Sequence, residues 1–167
     1  MKAAVIYYSM GGNTAMAAEK LSAVSGAELI EIKPEKAYPD KGIRKFLWGG
    51  KSAVMAETPA LQPYSFAPDR YDLIIFGFPV WAGTMAPPVR SFALENREAL
   101  RDKKIAAFAC QSGNGAEKAF RKLLECLGRE AFAATMVLID PKDRPKGNED
   151  KIISEFRAKL GLNNPSR

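Results

Sequence analysis

The chain has 167 residues, 47% hydrophobic and 26% charged, proportions of a globular protein able to bury a core without disulfide or metal staples. It carries 25 basic and 19 acidic residues, a net charge of +6, which is basic but short of a nucleic-acid signature. Histidine is absent, which excludes Ser-His-Asp triads, Cys-His nucleophiles and histidine-held zinc or haem.

Two cysteines, Cys110 and Cys126, form no CxxC pair and no structural zinc site, and so few fit a reducing, intracellular setting. The apolar part of Met1–Ser9 is too short for a signal peptide. The longest uncharged stretch, Leu73–Val89, is broken by Gly77, Pro79, Gly83, Pro87 and Pro88 and cannot span a membrane. A cytoplasmic protein with no membrane partner is expected.

In chain order, Ala3–Tyr8 is an apolar run ending near a Gly-Gly pair and reads as a buried strand. Thr14–Val24 places Ala17, Leu21 and Val24 at helical spacing and stops before Ser25-Gly26. Ala27–Ile32 alternates between apolar residues and glutamates, as an edge strand does. Asp72–Gly77 and Lys104–Cys110 are continuous apolar strands, hence buried on both faces. Between them, Pro87–Leu100 opens with proline where a first helical turn accepts it. Glu117–Leu127 repeats Phe120, Leu123, Leu124 and Leu127 at helical spacing before Gly128. Thr135–Ile139 is a fifth strand, and Asp150–Leu160 a last amphipathic helix.

Buried strands alternating with helices predict an α/β fold: a doubly wound three-layer sandwich. Right-handed crossovers favour a five-stranded parallel sheet of order 2-1-3-4-5, which puts the alternating second strand at an edge. Residues 1–167 then form a single domain with one inserted basic excursion at about 33–70, too long for a plain turn. From Lys33 to Lys51, the basic residues Lys33, Lys36, Lys41, Arg44, Lys45 and Lys51 face only Glu35 and Asp40. Ile43, Phe46, Leu47 and Val54 could line a helix face, although Gly49-Gly50 interrupts it.

In such a sheet, ligands bind beyond the carboxyl ends of the strands, at the switch point between the first and third. Three uncharged loops are expected to meet there: Ser9-Met10-Gly11-Gly12-Asn13-Thr14, Phe78-Pro79-Val80-Trp81-Ala82-Gly83-Thr84-Met85, and Gln111-Ser112-Gly113-Asn114-Gly115. The first can aim backbone N–H groups and two hydroxyls at one anion. Without lysine or arginine it suits a single terminal phosphate rather than a magnesium triphosphate. Equally, Gly11-Gly12 could be a tight turn before a helix cap. Trp81 could stack on a planar ligand or fold back into the core. The third loop could offer backbone donors to a ring edge or merely join a strand to a helix.

Ser9-Met10-Gly11-Gly12-Asn13-Thr14 resembles the flavodoxin phosphate loop, hydroxyl-x-x-Gly-x-Thr, and residues 78–88 resemble the second flavin loop of flavodoxin-like proteins. The resemblance covers nearly the whole chain. It implies an FMN-binding electron carrier of low potential, passing electrons between a reductase and an acceptor protein. It implies that Ser9, Gly11, Gly12, Asn13 and Thr14 hold the phosphate, with Met10 in the same loop. Pro79, Trp81, Ala82, Gly83 and Thr84 would flank the isoalloxazine, with Val80 among them, and Gln111, Ser112, Gly113, Asn114 and Gly115 would line its other side. An uncharged surround would disfavour the reduced anion and so lower that potential.

Two features depart from the family: the third loop has no aromatic residue, and the chain is basic where carrier flavodoxins are acidic. Phe46 and Trp48 of the excursion are candidates to replace the missing ring. Two other functions stay open. One is an NAD(P)H-dependent FMN or quinone oxidoreductase of the same fold. The other is a nucleic-acid-binding module using Lys41, Arg44, Lys45, Phe46, Trp48 and Lys51, against which solvated surface charge is the plainer account. Gly50-Lys51-Ser52 is no phosphate-binding P-loop, because the leading glycine position holds Lys45. The first and third strands end without the acidic residues a phosphoryl receiver needs.

Overall fold

The computed structural model describes residues 1–39, 51 and 55–162. Strands β1 (Ala3–Tyr7), β2 (Glu28–Glu31), β3 (Leu73–Trp81), β5 (Lys104–Gln111) and β6 (Thr135–Ile139) form a parallel sheet of order β2-β1-β3-β5-β6. This is the predicted 2-1-3-4-5 order. The numbering differs only because a two-residue strand, β4 (Thr84–Met85), folds back antiparallel on the end of β3. Helices α1 (Asn13–Ser25), α2 (Pro87–Glu95), α3 (Ala116–Leu127) and α4 (Glu149–Leu160) cover its faces.

Alternation along the strands sorts the core into two layers. Ala4, Ile6 and Tyr8 point with Ile74 and Phe76 toward α2 and α3, where Phe92 and Phe120 lie. Ala3, Val5 and Tyr7 point with Leu73 and Ile75 toward α1 and α4, against Leu21 and Phe156. Every residue of β1 is buried, as expected of a central strand, whereas β2 buries only Ile30 and sits at the edge.

Two elements differ from their sequence reading. β3 runs four residues past Gly77, through Phe78, Pro79, Val80 and Trp81, before turning into β4. Proline is tolerated here because β1 pairs no further than Gly77, so the missing N–H at Pro79 costs no ladder bond on that side. α2 ends at Glu95 rather than Leu100. The Asn96 side chain donates to the Phe92 carbonyl at 3.0 Å, closing the helix, and the chain continues to Lys103 as turns.

The described limbs of the excursion are anchored. Pro34 bridges to Leu61, the Glu35 N–H reaches the Ala60 carbonyl at 2.9 Å, and Tyr38, Tyr64 and Phe66 pack on the α2–α3 core. The proposed helix face of Ile43, Phe46, Leu47 and Val54, the basic residues Lys41, Arg44 and Lys45, and Trp48 lie outside the described residues. No helix among the described residues is long and apolar enough to cross a membrane.

Candidate functional site

All three predicted loops meet at the carboxyl end of the sheet around a crevice of about 480 Å³. That is within the size range of small-molecule sites. Ser9, Met10, Gly11, Asn13 and Thr14 line it from the first loop. Pro79, Val80, Trp81 and Ala82 line it from the second, and Gln111, Ser112, Gly113 and Asn114 from the third. Four predicted residues do not line it: Gly12, Gly83, Thr84 and Gly115. Thr84 is fully buried, and its hydroxyl is held by an Arg90 guanidinium N–H at 3.2 Å. The glycines shape the walls instead. A Cβ on Gly115 would lie 3.0 Å from the Gly83 Cα, so the second and third loops touch where only glycine fits.

At the first loop, the Ser9 hydroxyl oxygen accepts the N–H groups of Gly12 (3.2 Å) and Ala15 (3.1 Å), folding the turn that starts α1. The N–H groups of Asn13 and Thr14, in the first helical turn, have no partner among the described residues. Among the described residues the buried Thr14 hydroxyl makes no hydrogen bond of ordinary geometry, with the weakly interacting Cys110 thiol beside it. Buried polar groups are rarely left so. Helix-terminal donors and an unsatisfied hydroxyl together have the chemistry to accept an anion.

At the other end, Trp81 lies edge-on to Tyr8 (5.7 Å between ring centres) and to Tyr38 of the excursion (5.3 Å). Trp81 packs on the core and also lines the crevice. Burial, and then the neighbouring Tyr38, push the Tyr8 hydroxyl well above its ordinary pKa, so it stays neutral. Ala82 and Gly83 both have positive φ, 49° and 71°, the pattern of a two-residue hairpin turn between β3 and β4. An alanine held left-handed costs on the order of 1 kcal/mol and fixes the turn's shape. Cys110 forms part of the floor. Burial raises its thiol to about 12, so it is a small neutral hydrophobe there rather than a thiolate.

The expectation of an uncharged site is corrected by a fourth loop, which follows β6. Asp140, Asp143 and Arg144 line the crevice, and Lys142 lies against the first loop. The Asp140 carboxylate pairs with Arg144, whose Nε is 2.8 Å away, and accepts the Ser112 hydroxyl at 2.8 Å. The surround is charge-balanced rather than neutral. Asp140 sits at φ 40°, a left-handed conformation that aspartate tolerates better than most residues. The signal for this loop was available: β6 is parallel to the other strands, so its carboxyl end falls on the same edge. Among the described residues, no cluster of three or more acidic or cysteine side chains could hold a metal ion.

The chain matches the flavodoxin family over residues 2–141. No curated protein sequence matches it. It is similar in structure to a flavoprotein from Lactobacillus acidophilus solved in complex with FMN. The two are 22% identical with a TM-score of 0.71, over 90% of this chain and 97% of the other. A flavoprotein from Bacteroides eggerthii is likewise 22% identical, with a TM-score of 0.75 over 96% and 98% of the chains. An archaeal flavodoxin shares 16% identity at a TM-score of 0.53 over 96% and 99%.

Proposed function

This chain belongs to the flavodoxin family, and we propose that it binds FMN in the crevice and carries electrons between a reductase and an acceptor protein. The observation that carries the reading is a pairing of opposites across one crevice. The unpartnered Thr14 hydroxyl and first-turn N–H groups suit a phosphate monoester, and the half-buried face of Trp81 suits a flat ring. The residues fit the cofactor. Ser9, Gly11, Asn13 and Thr14 would hold the phosphate, Trp81 and Ala82 would flank the ring, and Ser112 to Asn114 would meet its other side.

Bound FMN supplies one- and two-electron redox chemistry, and the protein supplies position and electrostatics. The Asp140–Arg144 pair adds no net charge beside the ring, so a low potential remains the expected setting. Both cysteines are free, in keeping with a reducing compartment such as the cytoplasm.

A second reading, an NAD(P)H-dependent FMN or quinone oxidoreductase, is favoured by one observation. Arg144 at the crevice rim is largely exposed and could meet a nucleotide phosphate. Most of the patch expected for a nucleic-acid role lies outside the described residues.

The test is direct. Purified protein titrated with FMN should give a yellow complex that survives gel filtration, with tryptophan emission quenched. Protein that stays colourless at high FMN overturns the proposal. Steady NADH or NADPH oxidation with a quinone, without added reductase, would favour the second reading.

A further inference from the structure

The first loop has no basic residue of its own, yet the fold gives it one. The Asn13 side-chain oxygen accepts the backbone N–H of Lys142 at 2.8 Å and of Asp143 at 3.3 Å. The Asn13 amide donates in return to the Asp143 carboxylate at 2.8 Å. The side chain that the family resemblance assigns to the phosphate is therefore occupied in clamping the fourth loop onto the first.

The clamp lays the Lys142 chain across Gly12. A Cβ at that position would be 3.0 Å from Lys142 Cδ and 2.6 Å from Nζ, so any residue but glycine would push the lysine away. Its ammonium donates to the Gly11 carbonyl at 3.2 Å. An ammonium has three donors, and no carboxylate lies within ion-pair distance of this one among the described residues. Asp143 is turned to Asn13, and Asp140 is taken by Arg144. The free charge thus stands on the same two glycines that lead to the unpartnered N–H groups of Asn13 and Thr14 and to the buried Thr14 hydroxyl.

We propose that Lys142 is a phosphate ligand, held by Asn13 as a positioning residue, and that it makes the crevice select a phosphorylated flavin over an unphosphorylated one. The inference rests on the FMN reading above. A loop of neutral donors can hold a monoester through N–H groups and the helix dipole alone. An added ammonium, borrowed from a loop after the last strand, favours the dianion and does nothing for the ring. The contact is exposed, so its worth is modest and dependent on salt.

The experiment compares FMN with riboflavin by fluorescence quenching in the wild-type protein and in Lys142→Gln, Lys142→Arg and Asn13→Ala. Lys142→Gln should weaken FMN binding about fivefold at low salt, leave riboflavin binding unchanged and flatten the salt dependence for FMN. Lys142→Arg should retain most of the FMN affinity. Asn13→Ala should weaken FMN binding in the wild-type background and add little in Lys142→Gln, as expected of a residue acting through the lysine. Equal losses for FMN and riboflavin in Lys142→Gln, or no loss for either, overturn the proposal while leaving the FMN reading intact. Wild-type protein that binds neither flavin overturns both.

Discussion

Gly77 and Phe108 are cross-strand partners in β3 and β5, and the aromatic ring occupies the space a side chain at 77 would need. A Cβ on Gly77 would stand 2.6 Å from Phe108 Cε1 and closer still to Cζ. Phe108 is fully buried among Val5, Leu73 and Met136, so the ring has nowhere to retreat.

Gly77→Ala should therefore lower stability by about 1–3 kcal/mol through overpacking. Urea denaturation would measure it, and a neutral result would mean that the sheet yields more than a close-packed core allows. FMN affinity should fall as well, since β3 delivers Pro79 to Trp81 to the crevice.

Thr14→Val separates ligand binding from folding. The wild-type hydroxyl is buried and unsatisfied, a state that costs about 1–3 kcal/mol, and valine replaces it with an apolar group of the same shape. Without ligand the variant should be as stable as the wild type or about 1 kcal/mol more so, by thermal or chemical denaturation. Its FMN affinity should fall about tenfold. A destabilised variant with undiminished FMN binding would assign the hydroxyl to folding instead.

Gly83→Val places a β-branched residue at φ 71° in the two-residue turn, where L side chains are strained, and against Lys118 Cδ, 3.3 Å from the Cβ position. The hairpin of β3 and β4 should loosen, at about 1–2 kcal/mol in stability. If the Ala82-Gly83 peptide borders the flavin ring, the measured reduction potentials of the FMN complex should shift too. Unchanged potentials would place this turn away from the reacting ring.

Stability should depend on acid through Glu149. The backbone N–H groups of Lys146 (2.6 Å) and Gly147 (2.9 Å) donate to its carboxylate, and these bonds, the Lys146 one foremost, hold its pKa below the ordinary 4.5. A carboxyl with a lowered folded pKa stabilises the fold above about pH 4.5, and the gain is lost as pH falls through the folded value. Glu149→Gln should thus unfold earlier than the wild type at pH 7, and the gap between their urea midpoints should close in more acid solution. A gap that persists unchanged at low pH would show that the loss was of shape and not of charge.

Much of the architecture was legible in the chain because burial imposes periodicity. The unbroken apolar runs at Ala3–Tyr7 and Leu73–Phe76 marked central strands, and the alternation around Ile30 marked an edge. Their order then left few topologies, and the carboxyl-edge rule brought together three of the four loops that line the crevice. The reading stopped too soon at Gly77, because a proline at 79 looks like a strand breaker unless the neighbouring strand is known to have ended. It ran too far at α2, because nothing periodic announces that Asn96 will turn back on the Phe92 carbonyl.

The presence of a charged loop after β6 could be read from the sequence, but the pairings that its charges make could not. Local pattern shows that Ser9 to Thr14 is a small, uncharged turn at a helix start, and this holds in any fold that contains it. It does not show that Asn13 will grip Lys142, 129 residues later, or that Arg144 will fold onto Asp140 beside the third loop. Those contacts exist only once β6 is laid parallel at the sheet edge. A hydrogen bond is specified by position in space, whereas a buried strand is specified by its own residues.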